Sequence, residues 1–108
     1  MNKIQFLYIQ ECPHSETTWR LLTQSLDTLG IQIEVERIEI HDDLEADHYC
    51  FQGSPSIKVD GVDLWEQKRD EYHMGYRAYT TPVGLIGHPT LEMLVERLRT
   101  IHTNITVN

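Results

Sequence analysis

An apolar run, Lys3-Ile4-Gln5-Phe6-Leu7-Tyr8-Ile9, leads almost directly into Cys12-Pro13-His14-Ser15, and then into an amphipathic stretch closed by Gly30. This succession constrains the fold more than any other part of the chain. A segment that is apolar at nearly consecutive positions reads as a central strand over 3–9, covered on both faces, and so requires layers on either side of a sheet. Pro13 suits the first turn of a helix, where its missing N–H has no partner to lose. Trp19, Leu22, Leu26 and Leu29 recur at spacings of three and four and form a single stripe, which Gly30 ends.

The remaining pattern alternates strands with helices. Ile31, Ile33 and Val35 alternate with polar residues and predict a second strand. Ile38 and Ile40 fall out of phase with them, which predicts a bulge or a strand end near Arg37. Asp42 and Asp43 are placed to cap a short helix from Leu44 to Tyr49. Ser56–Asp60 and Val62–Trp65 pair across Asp60-Gly61, the strongest hairpin signal in the chain. Residues 66–88 are polar and then rich in glycine and proline, and read as a loop with at most a short strand around Tyr76–Thr80. Pro89 opens a last helix with a stripe of Leu91, Leu94, Val95, Leu98 and Ile101, and Thr103–Asn108 read as a tail. The order β-α-β-α-β-β-α, with a right-handed crossover between the first two strands, predicts an α/β fold: a four-stranded mixed sheet with helices on both faces.

With 108 residues there is room for one domain and one core, so residues 1–108 are expected to form a single unit. Nine basic residues against seventeen acidic ones give a net charge of -8, which opposes nucleic-acid binding through phosphate neutralisation. No run is apolar enough for a membrane span or a secretory signal, so the expected compartment is the cytosol and no membrane partner is expected. Two cysteines, Cys12 and Cys50, are too few for a disulfide scaffold.

The Cys12 turn carries the most chemistry. A cysteine where a helix presents unpaired N–H groups and the positive end of its dipole is favoured as the thiolate, which is the nucleophilic form. Ser15 is placed to donate to that sulfur, and His14, when protonated, to stabilise its charge; His14 reads equally as an exposed first-turn residue. Cys50 is the other thiol in the chain and hence the one internal candidate for resolving a mixed disulfide, although its place at the end of a short helix reads better as structural. His41, His48, His73, His88 and His102 are scattered and form no dense ligand pair with the cysteines, so no metal site is expected. Asp42, Asp43 and Glu45 read as a capped helix start without calcium-loop spacing. Trp65, Tyr72, Tyr76 and Tyr79 either wall a groove beside Cys12 or pack onto the sheet edge, and packing is the simpler reading.

The element order, the Cys-Pro-x-x turn and the Gly53-Ser54-Pro55 start of the hairpin resemble the thioredoxin-like superfamily over residues 3–65 and 89–101. More narrowly, the run from Phe51 to Gly61 and the Arg77-Ala78-Tyr79 loop are similar to small bacterial thioredoxin-like proteins sometimes labelled as alkylmercury-lyase associated. The resemblance implies that Pro55 is cis and lies against the cysteine. It also implies that Pro13, Ser54 and Pro55 contact substrate, with the Ser54 main chain free to pair with an extended peptide. Two departures matter. The second motif position is Ser15 where a dithiol enzyme has cysteine, and Tyr76 stands where the narrower group often has cysteine.

The implied activity is a monothiol thiol-disulfide oxidoreductase acting on a small thiol or a protein disulfide, with glutathione as a co-substrate and no resident cofactor. The alternative is a non-catalytic binding or adaptor domain that holds a peptide or thiol in the same groove. A weaker one is soft-metal or organomercurial handling, for which one thiolate is a poor ligand set.

Overall fold

The computed structural model describes residues 1–107, with side chains described through His102. Its elements are β1 (Ile4–Tyr8), α1 (Ser15–Thr28), β2 (Val35–Glu39), α2 (Asp43–His48), β3 (Ser56–Val59), β4 (Val62–Asp63), β5 (Tyr79–Thr81), β6 (Gly84–Ile86) and α3 (Leu91–Val107). Four strands form one mixed sheet in the order β2-β1-β3-β4, while β5 and β6 form a separate pair. β1 runs parallel to β2 and antiparallel to β3, and β3 and β4 form the hairpin across Asp60-Gly61. Both turn residues have positive φ (51° and 86°), the conformation that a two-residue type I′ turn requires.

The central strand faces two cores. Ile4 and Phe6 point to one side, where Leu22 and Leu26 of α1, Leu94 and Leu98 of α3, and Ile57 and Val59 of β3 meet them. Leu7 points to the other, with Ile38, Ile40, Ala46 of α2 and Phe51. Two covered faces are what a nearly continuous apolar strand demands. Each fully buried side chain of this size contributes about 1.5–3 kcal/mol.

The two faces also explain the phase break in the second strand. Pairing of β1 with β2 runs without interruption from Ile4 with Val35 to Tyr8 with Glu39, so there is no bulge at Arg37. Val35 packs on the α1 and α3 side, and Ile38 and Ile40 on the α2 side. Ile31 and Ile33 precede the strand. They pack against the first core as the chain leaves α1, whose end donates Gly30 N–H to Asp27 O and Ile31 N–H to Leu26 O. This is the Schellman arrangement, with Gly30 at φ 68°.

Other boundaries differ from the sequence reading. α1 starts at Ser15, so Pro13 lies in the turn ahead of the helix, where Cys12 N–H bonds Ile9 O at 3.1 Å. β4 ends at Asp63 because its ladder is short, although Leu64 N–H still reaches Ile57 O at 3.0 Å. Residues 66–88 hold not only the short strand expected around Tyr76–Thr80, found as β5, but a second one, β6, that pairs with it in a hairpin where Thr81 Oγ1 donates to Gly84 O at 2.7 Å. α3 begins after Thr90, whose Oγ1 accepts from Met93 N–H, so Pro89 precedes the helix. The helix continues through 103–107, the segment expected as a tail, and Asn108 lies outside the described residues. Among the described residues no helix is long and apolar enough to cross a membrane.

Candidate functional site

The Cys12 turn and the proline that starts β3 come together through Ser54. Its hydroxyl accepts the Ile9 N–H at 3.0 Å, and Ile9 O in turn accepts the Cys12 N–H. The Ser54-Pro55 peptide bond is cis, as the resemblance implied, and Pro55 is fully buried. Cys12 is buried, with 8% of its surface exposed, and Cys12 and Cys50 are both free thiols.

The helix that was expected to begin at the motif begins three residues after the cysteine, and Cys12 meets it through its carbonyl, which accepts the Ser15 N–H at 3.4 Å. The Ser15 Oγ is buried and has no hydrogen-bond partner among the described residues, so it does not donate to the Cys12 sulfur in this state. The His14 ring lies 5.7 Å from the His88 ring, centroid to centroid, and against Gly87, where even a Cβ would overlap the imidazole. The end of the 66–88 segment therefore closes over His14. Pro13 is exposed at the surface of the turn.

Ser54 departs most from expectation. Its main chain is not free: its N–H donates to Gly75 O at 2.8 Å and its carbonyl accepts from Arg77 N–H at 3.2 Å. Tyr76 thus sits beside Ser54 as a parallel strand residue, with its own side chain 63% exposed. The chain's own residues 75–77 occupy the edge to which an extended peptide would add.

That segment is clasped on both sides of the cis bond. The Arg77 guanidinium pairs with Asp63 at 2.9 Å, with the two side chains only 6% and 1% exposed, and it also donates to Ser56 Oγ (3.2 Å) and Trp65 O (2.9 Å). Such a pair holds only where its remaining polar groups are also satisfied, as the extra acceptors do here. Tyr79 donates its hydroxyl to Pro55 O. Burial pushes the Tyr79 phenol well above its ordinary range, Asp63 and Cys12 add to the shift and Arg77 opposes it, so the group stays a donor. Gly53, at φ 104°, lies so close under the clasp that a Cβ would stand 2.9 Å from Arg77 Cβ.

Of the aromatic group, Tyr79 is buried and meets Trp65 edge to face at 5.4 Å, whereas Tyr76 faces solvent. Asp63 was missed as a site residue. A signal was present: it is the one acidic residue in the Val62–Trp65 strand pattern, and a charge turned inward there needs a partner.

Cys50 is exposed and takes the same position after α2 that Gly30 takes after α1, with φ 51°, Cys50 N–H to Asp47 O and Phe51 N–H to Ala46 O. The Tyr72 phenol lies beside it; desolvation first and the Cys50 thiol second push that phenol up. Among the described residues no group of three or more histidine, cysteine or acidic side chains is placed to hold a metal ion. Comparison with protein-family models, curated proteins and solved structures finds no match to this chain.

Proposed function

We propose that the chain is a thioredoxin-like monothiol oxidoreductase in which Cys12 exchanges with glutathione mixed disulfides. One observation carries this reading: the cysteine turn hangs from the Ser54-Pro55 strand start through the Ile9 N–H, which donates to Ser54 Oγ. The mixed four-stranded sheet in the order β2-β1-β3-β4 with three helices supports the fold assignment.

In the first step the Cys12 thiolate attacks the glutathione sulfur of G–S–S–R. The Cys12–S–S–G bond forms, the old S–S bond breaks, and R–S⁻ leaves and takes up a proton. A second glutathione thiolate then attacks the Cys12-linked glutathione sulfur and returns the Cys12 thiolate. The sum is G–S–S–R plus glutathione giving R–SH plus glutathione disulfide. The buried Ser15 oxygen, without a partner among the described residues, supports a role for Ser15 as a donor to the sulfur.

The test is turnover of the glutathione–mercaptoethanol mixed disulfide by the Cys50→Ser protein, coupled to reduction of glutathione disulfide. Activity that disappears in Cys12→Ser supports the reading. Turnover no faster than that of Cys12→Ser overturns it in favour of a non-catalytic binding domain.

A further inference from the structure

An extended polypeptide substrate gains both affinity and register by adding as a strand to a free main-chain edge, which at this site is Ser54 beside Pro55. Here that edge is already paired. Ser54 offers one N–H and one carbonyl, and residues 75–77 take both.

The pairing is built into the core of the molecule. Arg77 anchors it through four polar contacts: its own N–H to Ser54 O, and its guanidinium to Asp63, Ser56 and Trp65. Its Cζ also lies 4.6 Å from the centre of the Tyr79 ring, and Tyr79 reaches over to Pro55 O. Gly53 leaves room for this approach and for nothing more. A competing peptide strand would have to strip an arginine and an aspartate from one another while both are buried, which is strongly unfavourable.

We infer that Cys12 serves small-molecule disulfides and excludes polypeptide ones, with Arg77 as the positioning residue that sets this selectivity by holding residues 75–79 on the Ser54–Pro55 edge. The inference rests on the oxidoreductase reading above for its chemistry, but the closed edge is a property of the fold. Cys12 itself keeps only 8% of its surface exposed beside this edge.

Two measurements test it. The first uses the Cys50→Ser protein and two pyridyl disulfides with the same leaving group, one carrying mercaptoethanol and the other a cysteine in the middle of an extended peptide. Thiopyridone release reports a single attack by Cys12 and needs no turnover. After correction for the intrinsic rate with a free cysteine peptide, the peptide reagent is expected to react at least ~100-fold more slowly, since it must await opening of a clasped segment. Arg77→Lys, which keeps the charge beside Asp63 but loses the fork to Trp65 O, is expected to narrow that ratio, and an Arg77→Met, Asp63→Leu double variant to narrow it further. Equal rates for the two reagents in the Cys50→Ser protein overturn the inference. A ratio unmoved in both folded variants overturns the role of Arg77.

The second measurement is amide exchange in the unmodified chain, so it does not depend on any variant folding. Protection of the Ser54 and Arg77 amides comparable to that of the β1 amides is expected; exchange as fast as an exposed loop overturns the closed edge. If neither reagent releases thiopyridone, the oxidoreductase reading fails, and the small-substrate assignment with it. Protected amides would then leave the closed edge standing as a structural fact, so the two failures are distinguishable.

Discussion

The sheet is held on its α1 and α3 side by apolar area, and along its site edge by a few directional contacts. On the first side Phe6, Leu22, Leu26, Ile57, Leu94 and Leu98 meet in one apolar cluster. Along the second, Arg77, Asp63, Ser54, Ser56 and Tyr79 form a closed polar set around one proline. Apolar packing is non-directional and tolerates exchanges of similar volume. The polar set tolerates neither a missing member nor an angular change, because each group it leaves unpaired stays buried. Rigidity at the thiol therefore comes from the polar edge, and bulk stability from the apolar core.

The largest effect is expected on the apolar side. Phe6→Ala removes a fully buried ring that meets Trp19 edge to face, and should destabilise the fold by roughly 3–5 kcal/mol in denaturant unfolding. It should leave the ratio of Cys12 reactivities toward small and peptide reagents unchanged wherever the protein remains folded. A shifted ratio would show that the two regions are not separable.

Asp63→Ala attacks the polar edge and should cost about 3 kcal/mol, the lower end for a broken buried pair, because Arg77 keeps Ser56 Oγ and Trp65 O as acceptors. Replacing both partners, Arg77→Met with Asp63→Leu, should recover most of that loss while opening Cys12. If the double variant is no more stable than the single one, the clasp is doing its structural work through more than the ion pair.

Cys50→Gly should raise stability by about 1 kcal/mol, since glycine has no Cβ to strain at φ 51°. The same change tests the second thiol. Turnover preserved in Cys50→Gly identifies Cys50 as a turn residue, and turnover lost would make it the resolving thiol.

The smallest effect lies outside both regions. A hydrogen bond to Glu45, reinforced by its charge and by those of Glu39 and Asp42, raises the pKa of His41 above the usual histidine value. A raised value in the folded state means stabilisation that is complete below about pH 6.5 and lost as the pH rises through the higher folded value. The melting temperature of the starting protein should therefore exceed that of His41→Gln in mild acid, with the gap closing in alkali. A gap independent of pH would mean that the contact acts through packing and not through charge.

Much of the fold could be read from local pattern. The Asp60-Gly61 turn, the Asp42 cap and the stop at Gly30 are short-range features, and each depends on residues within a few positions of one another. Asp42 accepts the Glu45 N–H at 2.8 Å as its spacing suggests. The β5–β6 hairpin was not legible because its turn, Thr81-Pro82-Val83-Gly84, carries no strong two-residue signal and its strands are three residues each. Val83 and Leu85 are also exposed, so the second strand offers no buried alternation to read.

The candidate site divides in the same way. Cys12, Pro13, His14, Ser15 and Pro55 stand out in the sequence because a motif turn and a proline at a strand start are local events. What fills the space between them was decided in three dimensions. Arg77 lies 14 residues from Asp63 and about as far from any pattern that would pair them, and the Gly75 carbonyl that meets Ser54 has no sequence signature at all. A residue's own chemistry and its near neighbours determine whether it forms a strand, a cap or a reactive turn. Whether that turn is open or closed depends on which distant backbone finds the same unpaired N–H and carbonyl, and only the folded chain brings those groups together.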